Sequence, residues 1–498
     1  MRLNLLLIGI CSVFIITSSW LINHDSLSSV VFLKENQQPL HIVSDKFLSF
    51  GLDSSLLRNM KKLPINDHKF INLVRHLSPA YVRIGGTNAD CLYFEQVCFY
   101  KYINYSHNLV DDADISNFTL TSNDFLSIYK FTEKTAIKMI FDLNVLLREP
   151  NGSWNSDNTK EIIVFSKSHE MEIDWQLGNE PNSFLHVFNI SISAQQLAND
   201  YCKLRTVLNE LGYQDSILVG PEANHVDNEY KNGVKYGIDF LNNVNNCVDY
   251  FTWHQYYLNG HIAQLEDFLN PKVFNRLSEQ ISTMGNAIRS NGHNVSMWLS
   301  ETSSAYGGGA PKLSDRFVAG FLWLDKLGYS AKAGVKVIIR QSLFGGNYAM
   351  IDENLDPNPD WWVTLMFKQF VSNKVLSLNT PDNFGNIRLY AHCALKQTFL
   401  NGLPAVTIYG INLNDEKKRM YIQGISNKSN IFAYFLTSDN LQSSNIFMNG
   451  EILRLLSDGS IPPFKPKIIE VSQGIELPSY SMVFLLIDNV KIPSCLEL

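Results

Sequence analysis

The chain has 498 residues, with 41 Lys and Arg against 48 Asp and Glu, for a formal net charge of −7. That length exceeds one ordinary domain and predicts a large unit joined to a smaller one. The slightly acidic balance argues against a nucleic-acid binder and supplies no field to draw in a polyanion.

Met1-Arg2 precedes an apolar run from Leu3 to Ile16 and then Thr17-Ser18-Ser19-Trp20, the pattern of a secretory signal peptide cleaved between Ser19 and Asn23. The run is short for a full membrane span. Secretion agrees with six Asn-x-Ser/Thr acceptors, at Asn104, Asn117, Asn151, Asn189, Asn294 and Asn427. From residue 47 onward, apolar strand-like runs alternate with helical patterns. Strands are expected at Phe47–Asp53, Tyr81–Gly86, Ile137–Asn144, Ile173–Glu180, Ile217–Glu222, Tyr250–Tyr257, Val295–Glu301 and Val335–Leu343. Helical spacing recurs at His68–Leu77, Ala194–Leu211, Pro271–Ser290 and Ser314–Ala333. Strands alternating with helices in this way predict an α/β fold, a (β/α)8 barrel. After Asn373 the runs become short and alternating, broken by Gly, Asn, Asp and Ser, at Ile387–Ala394, Ala405–Leu413, Ile431–Thr437, Ile446–Leu453 and Met482–Asp488. These predict a C-terminal antiparallel β-sandwich.

Outside the signal, Cys91, Cys98, Cys202, Cys247, Cys393 and Cys495 form an even set compatible with disulfides. Cys202 and Cys247 lie in helix-like and strand-entry contexts and are read as buried thiols; Cys91 with Cys98 is a candidate bridge. No CxxC or HExxH spacing suggests a metal, and the Asp111-Asp112-Ala113-Asp114 stretch lacks the glycine and distal glutamate of a calcium loop. Two stretches carry chemistry. In Asp174-Trp175-Gln176-Leu177-Gly178-Asn179-Glu180-Pro181, a buried strand breaks at a carboxylate, and the run Val295 to Ser300 likewise delivers Glu301. The C-terminal end of a barrel strand is the active-site face, and two carboxyls there are what glycoside hydrolysis needs.

Taken together, LGNEPNSF (Leu177 to Phe184), ETSSAYGGGAP (Glu301 to Pro311), WHQYYLNG (Trp253 to Gly260), LWLDKLG (Leu322 to Gly328), SPAYVRIGGT (Ser78 to Thr87) and DENLD (Asp352 to Asp356) resemble the heparanase family of glycoside hydrolases. The resemblance runs from about Val43 to Cys495. It implies a catalytic barrel over residues 46–372, a β-sandwich over 373–498, and a 23–45 segment, with Val30–Lys34 as its strand, that joins the sandwich after a signal peptide of residues 1–22. It implies a retaining endo-β-glucuronidase in which Glu301 is the nucleophile and Glu180 the acid/base, their carboxyls roughly 5–5.5 Å apart. Two carboxyls so close resist joint ionisation, which suits one protonated and one ionised partner.

The resemblance also implies that His254 and Tyr256 flank the nucleophile, and that Asn179 binds the 2-hydroxyl. Tyr306, Gly307 and Gly308 would bind the glucuronate carboxylate through backbone amides, with Gly346, Asn347, Tyr348, Asp53 and Thr87 as further sugar contacts. A Cys393–Cys495 bridge, no cofactor, no metal, a monomeric state and a glycosaminoglycan or proteoglycan substrate follow in the same way. Membrane association would come only through proteoglycan, and the site of action would be the extracellular matrix or the lysosome. Where vertebrate members place sulfate-pairing residues, this chain has Asp114, Ser116, His225, Asp227 and His261, and Gln255 stands as in a hyaluronan-cleaving relative. The Cys91–Asn123 interval, 33 residues (123 − 91 + 1), leaves no long segment to excise and predicts a single-chain enzyme. Heparan sulfate-type chains are the leading substrate, hyaluronan is the alternative, and a catalytically silent glycosaminoglycan-binding protein is the reading from another class.

Overall fold

The computed structural model describes residues 30–95, 109–110, 113–224, 226, 232–381, 384, 386–395, 405–426 and 428–496. The apolar N-terminal run, Cys98, Asn104, His225, Asp227 and Asn427 lie outside these.

Eight parallel strands form the barrel: β1 (Leu48–Asp53), β2 (Tyr81–Gly85), β3 (Lys138–Leu143), β4 (Ile173–Leu177), β5 (Val219–Ala223), β6 (Tyr250–Asn259), β7 (Met297–Tyr306) and β8 (Val337–Arg340). Their order is β4-β3-β2-β1-β8-β7-β6-β5. The ring closes through a parallel bridge between Trp175 and Leu218, with Trp175 N donating to Ile217 O at 2.9 Å. Eight principal helices accompany the strands: α1 (His68–Arg75), α2 (Ser122–Thr135), α3 (Asp157–Ser168), α4 (Ala194–Glu210), α5 (Gly233–Val244), α6 (Pro271–Ser290), α7 (Ala319–Lys332) and α8 (Pro359–Phe370). Several start at side-chain caps, such as Asp67 before α1, Thr121 before α2 and Ser193 before α4, which satisfy the first orphan amides.

The barrel interior is stratified. Near the N-terminal ends of the strands, Tyr81, Ile140, Val219, Trp298, Val337 and Ile339 form an apolar plug of their own. The Trp298 ring lies 5.3 Å from Tyr81 and 4.7 Å from Tyr250. One pleat further along, the inward side chains turn polar: Arg83 follows Tyr81 by two residues and Asp142 follows Ile140 by two. Dry packing below and charge above confine the chemistry to the C-terminal mouth.

Beyond the barrel, β9 (Val371–Leu376), β10 (Ile387–Ala394), β11 (Val406–Asn412), β12 (Asn430–Thr437) and β13 (Ser481–Ile487) belong to a larger sheet in which β10, β11, β13 and β12 pair antiparallel in that order. Val30–Leu33 pairs with Leu378–Asn379 and Lys418–Gln423 in a second sheet. Leu389, Val406 and Leu485 face this second sheet, whereas Tyr390, Tyr409 and Phe484 face the barrel. Both faces of the larger sheet are therefore covered. The expected strand Ile446–Leu453 is instead a hairpin, Phe447–Met448 paired with Glu451–Ile452. Asn449 and Gly450 turn it with positive φ of 52° and 90°, an Asn-Gly signal that breaks any single strand there.

Cys393 and Cys495 form a disulfide. So do Cys202 and Cys247, contrary to the reading of both as buried thiols, because α4 packs beside α5 and brings their Cα atoms to 5.0 Å. That helix pairing is a tertiary fact invisible in either local context. Cys91 is a buried free thiol, its Sγ 3.3 Å from Ile115 O, so it does not form the candidate bridge.

Candidate active site

β4 stops at Leu177, and the chain turns through Gly178 (φ 79°) and Glu180 (φ 54°) before Pro181 opens a short 3-10 turn. The left-handed conformation at a glutamate is uncommon, and it swings the carboxyl over the barrel mouth. Glu301 sits differently. β7 does not break after it but runs on to Tyr306, because Thr302, Ser303, Ala305 and Tyr306 keep pairing with Gln255, Tyr256, Leu258 and Asn259 of β6. From α7, the buried Lys326 Nζ donates to Ser303 O at 2.8 Å and to Thr302 Oγ1, bracing the strand beside the carboxylate.

Between the two glutamates lies one connected polar network. Glu301 Oε2 accepts from Arg83 Nη1 at 2.7 Å and Oε1 from Tyr256 OH at 2.8 Å. Glu180 Oε1 lies 2.8 Å from His254 Nδ1, and the other ring nitrogen, Nε2, lies 2.8 Å from Glu222 Oε2. An oxygen of each catalytic candidate and a His254 nitrogen all fall within 4.8 Å of one another. Arg83, 1% exposed, also donates from Nη2 to Asn179 Oδ1 at 2.7 Å and from Nε to Gln176 Oε1 at 3.0 Å, and it pairs with Glu222 at 3.2 Å. Asn179 N donates to Asp90 Oδ2 at 2.9 Å. With Arg83 on its oxygen, the Asn179 amide presents Nδ2 as the group that can donate to a sugar hydroxyl.

Burial alone would push the His254 proton off, but the charge of Glu301 and the hydrogen bonds to Glu180 and Glu222 outweigh it and raise its pKa to about 10. The ring is therefore an imidazolium with a donor on each side. Burial raises Glu222 as well, yet Arg83 and His254 reverse this and hold it below the usual carboxylate value. Asp142 lies 3.7 Å from Arg83 and goes the other way: burial, only partly offset by Arg83, keeps it well above that value. Glu180, His254 and Glu301 also form the metal-sized cluster among the described residues.

The remaining predicted residues gather on the same rim. Asp53, ending β1, caps Ser55 N at 2.9 Å and accepts from Gln341 Nε2 at 2.9 Å. Thr87 opens the turn after β2. Tyr306 is 47% exposed, its ring edge-on to Tyr256 at 6.4 Å. Gly307 and Gly308 have φ of 71° and 80°, a left-handed path that glycine adopts without strain. The loop after β8 is tied to them, with Asn347 N donating to Gly308 O at 2.7 Å. Gly346 has φ of 77°, and Tyr348 is buried, its carbonyl accepting from Arg340 Nη2 at 3.1 Å. Asp114 pairs with Arg58 at 3.5 Å, and Ser116 Oγ accepts from Arg58 Nη1 at 3.2 Å.

Arg83 and Glu222 were absent from the sequence-based site. Their signal was present: each is a charged residue inside an apolar strand run, YVRIG and VGPEA, where a charge is seldom buried without a partner.

A model of the glycosyl hydrolase family 79 N-terminal domain matches residues 52–328. The chain is 32% identical to heparanase from Bos taurus, over 95% of this chain and 93% of that one. It is 29% identical to hyaluronoglucuronidase from Hirudo nipponia, over 91% of this chain and 96% of that one. Among solved structures, a 4-O-α-L-rhamnosyl-β-D-glucuronidase from Fusarium oxysporum shares the fold, with a TM-score of 0.67 at 16% identity over 92% of this chain and 99% of that one.

Proposed function

This chain belongs to glycosyl hydrolase family 79, a heparanase-type glycoside hydrolase, and on that premise we propose that it is a secreted, retaining endo-β-glucuronidase cutting internal glucuronosyl linkages of heparan sulfate-type glycosaminoglycans. The observation that carries the mechanism is the approach of Glu180 and Glu301 oxygens to within 4.8 Å. Retaining enzymes hold their carboxyls about 5–5.5 Å apart, whereas inverting ones leave about 6.5–9.5 Å for a water.

In the first step Glu301 attacks the anomeric carbon while Glu180 gives its proton to the departing oxygen, which takes the electrons of the broken C–O bond. Water then attacks the glycosyl ester; Glu180 takes the water's proton, and Glu301 leaves as a carboxylate. The charges fit this opening state. Glu222 and Glu301 as carboxylates balance Arg83 and the His254 imidazolium, so Glu180 makes the cluster neutral when it carries its proton.

The alternative substrate is hyaluronan or another low-sulfate chain, and one contact favours it. Arg58, the cation beside Asp114 and Ser116, is spent on both instead of facing a sulfate. The relative from Hirudo nipponia, named a hyaluronoglucuronidase, supports the same alternative. Two disulfides and the glycosylation acceptors support an extracellular or lysosomal location.

The test follows each glycosaminoglycan by size-exclusion chromatography and the first-formed anomer by proton NMR, with Glu301→Gln as control. We expect shortened chains, a β-configured first product and an inert control. An α first product would end the retaining reading. Equal inertness of wild type and control on both substrates would favour a silent glycan-binding protein.

A further inference from the structure

A third carboxylate stands behind the catalytic pair. Glu222, next to last in β5, has a left-handed backbone, φ 60°, as does Glu180 just after β4 with φ 54°. Near the C-terminal ends of two adjacent strands, glutamates are thus held in a conformation that non-glycine residues seldom adopt. Their side chains converge on one ring from opposite sides, Glu180 on His254 Nδ1 and Glu222 on Nε2, each at 2.8 Å. Glu222 is fully buried and cannot reach substrate; its backbone N–H donates to Thr252 Oγ1 at 3.0 Å.

We propose that Glu222 is a positioning residue: by holding a proton on His254 Nε2 it obliges Nδ1–H to donate to Glu180 Oε1, and so keeps the acid proton of Glu180 on Oε2, the oxygen that serves the glycosidic bond. A neutral imidazole has one N–H and one lone pair and can present either to Glu180. An imidazolium presents only a donor, and the carboxyl accepts that hydrogen bond best on its carbonyl oxygen, which favours the acid proton on the other. Glu222 removes the choice of tautomer. Arg83, at 3.2 Å from the same Glu222 oxygen, fixes that carboxylate in turn.

The groups facing the relay come from every neighbouring element. Glu222 sees Arg83 on β2, Asp142 on β3, Tyr201 on α4 and Thr252 on β6; His254 sees Glu180 after β4, Glu222 on β5 and Glu301 on β7. Three carboxyl groups around one ring agree with the elevated proton affinity of His254.

The inference rests on Glu180 being the acid, and two measurements separate the two claims. The first needs no substrate: nitrogen NMR of His254 in the wild-type protein across pH 5 to 9. We expect both ring nitrogens to stay protonated throughout; loss of a ring proton below pH 7 would overturn the proposal whatever the enzyme cleaves. The second is Glu222→Gln, assayed on whichever glycosaminoglycan the wild type shortens. Its kcat should fall roughly tenfold to a hundredfold, part of the ~10²–10⁴ that general acid catalysis contributes, with KM within about twofold. The alkaline limb of kcat should move to lower pH, because His254 now loses its proton within the working range. A profile that overlays wild type after correction for folded fraction would assign Glu222 a structural role and overturn the proposal. If Glu180→Gln kept full activity while His254 remained doubly protonated, the acid assignment would fail and the proton-holding role of Glu222 would survive.

Discussion

At the scale of single residues, the site divides its donors unequally between the two glutamates. Glu301 has a guanidinium on one oxygen and a phenol on the other, so its orientation is fixed from two sides. Tyr256 is partly buried and its hydroxyl sits 2.8 Å from Oε1, where burial and the adjacent Glu301 raise its pKa well above the ordinary phenol value. It is a donor at every working pH. A hydrogen bond to a charged group contributes about 1.5–3 kcal/mol. Tyr256→Phe is therefore expected to lower kcat by roughly ten- to 150-fold with KM nearly unchanged, since the lost bond aims the attacking oxygen and leaves the sugar contacts in place. Steady-state kinetics on wild type and variant measure this directly, and equal kcat values would remove Tyr256 from the mechanism. The sequence named Tyr256 by resemblance, yet it left out Arg83, which holds the other oxygen. A motif names what it contains. It does not say which buried arginine on another strand will reach across the barrel.

At the scale of elements, the joint between barrel and sandwich is set by one helix. α7 packs on β10, and a Cβ at Gly328 would come within 2.0 Å of the Tyr390 ring. The Tyr390 hydroxyl donates to Asp325 Oδ1 at 2.7 Å, three residues back on the same helix. Ring and helix thus lock together over the bare glycine. Alanine normally stabilises a helix interior by about 1 kcal/mol over glycine. Here the added methyl must displace a ring that is hydrogen-bonded to the same helix, and overpacking of this kind costs about 1–3 kcal/mol. Gly328→Ala should therefore lower the urea midpoint while kcat per folded molecule stays at the wild-type value. A raised midpoint would mean that propensity wins and the contact is looser than its distance implies. The glycine was visible within the LWLDKLG motif, but its reason lies on a strand 62 residues later (390 − 328). Likewise the eight barrel strands were legible because buried parallel strands read as continuous apolar runs. The Cys202–Cys247 bridge was not, because it depends on which helices become neighbours.

At the scale of the whole molecule, the burial that assembles the site also sets how stability varies with pH. Asp90 is raised to about 7 and Asp360 to about 6, in both cases chiefly by burial. Their unfolded counterparts titrate near 3.8, so the native state holds extra protons between those values. The stability this contributes is present at acid pH and is lost as pH rises through about 6 and 7. His254 extends the trend: against burial, the charge of Glu301 and the hydrogen bonds to Glu180 and Glu222 raise it from 6.5 to about 10, so its contribution is full below 6.5 and disappears as pH climbs through 10. His392 opposes them on the acid side only. Burial lowers it from 6.5 to about 4, so the unfolded chain binds the extra proton in that window and stability falls as pH drops through it. Between about pH 4 and 6 the two carboxyls outweigh His392, and above 6.5 His254 takes over, so these groups make the melting temperature highest near pH 4 and lower toward pH 10. A thermal-shift series across that range tests the sign. A melting temperature that rises from pH 7 to 9 would mean that His254 does not keep its proton in the folded protein, and the imidazolium between Glu180 and Glu222 would have to be given up.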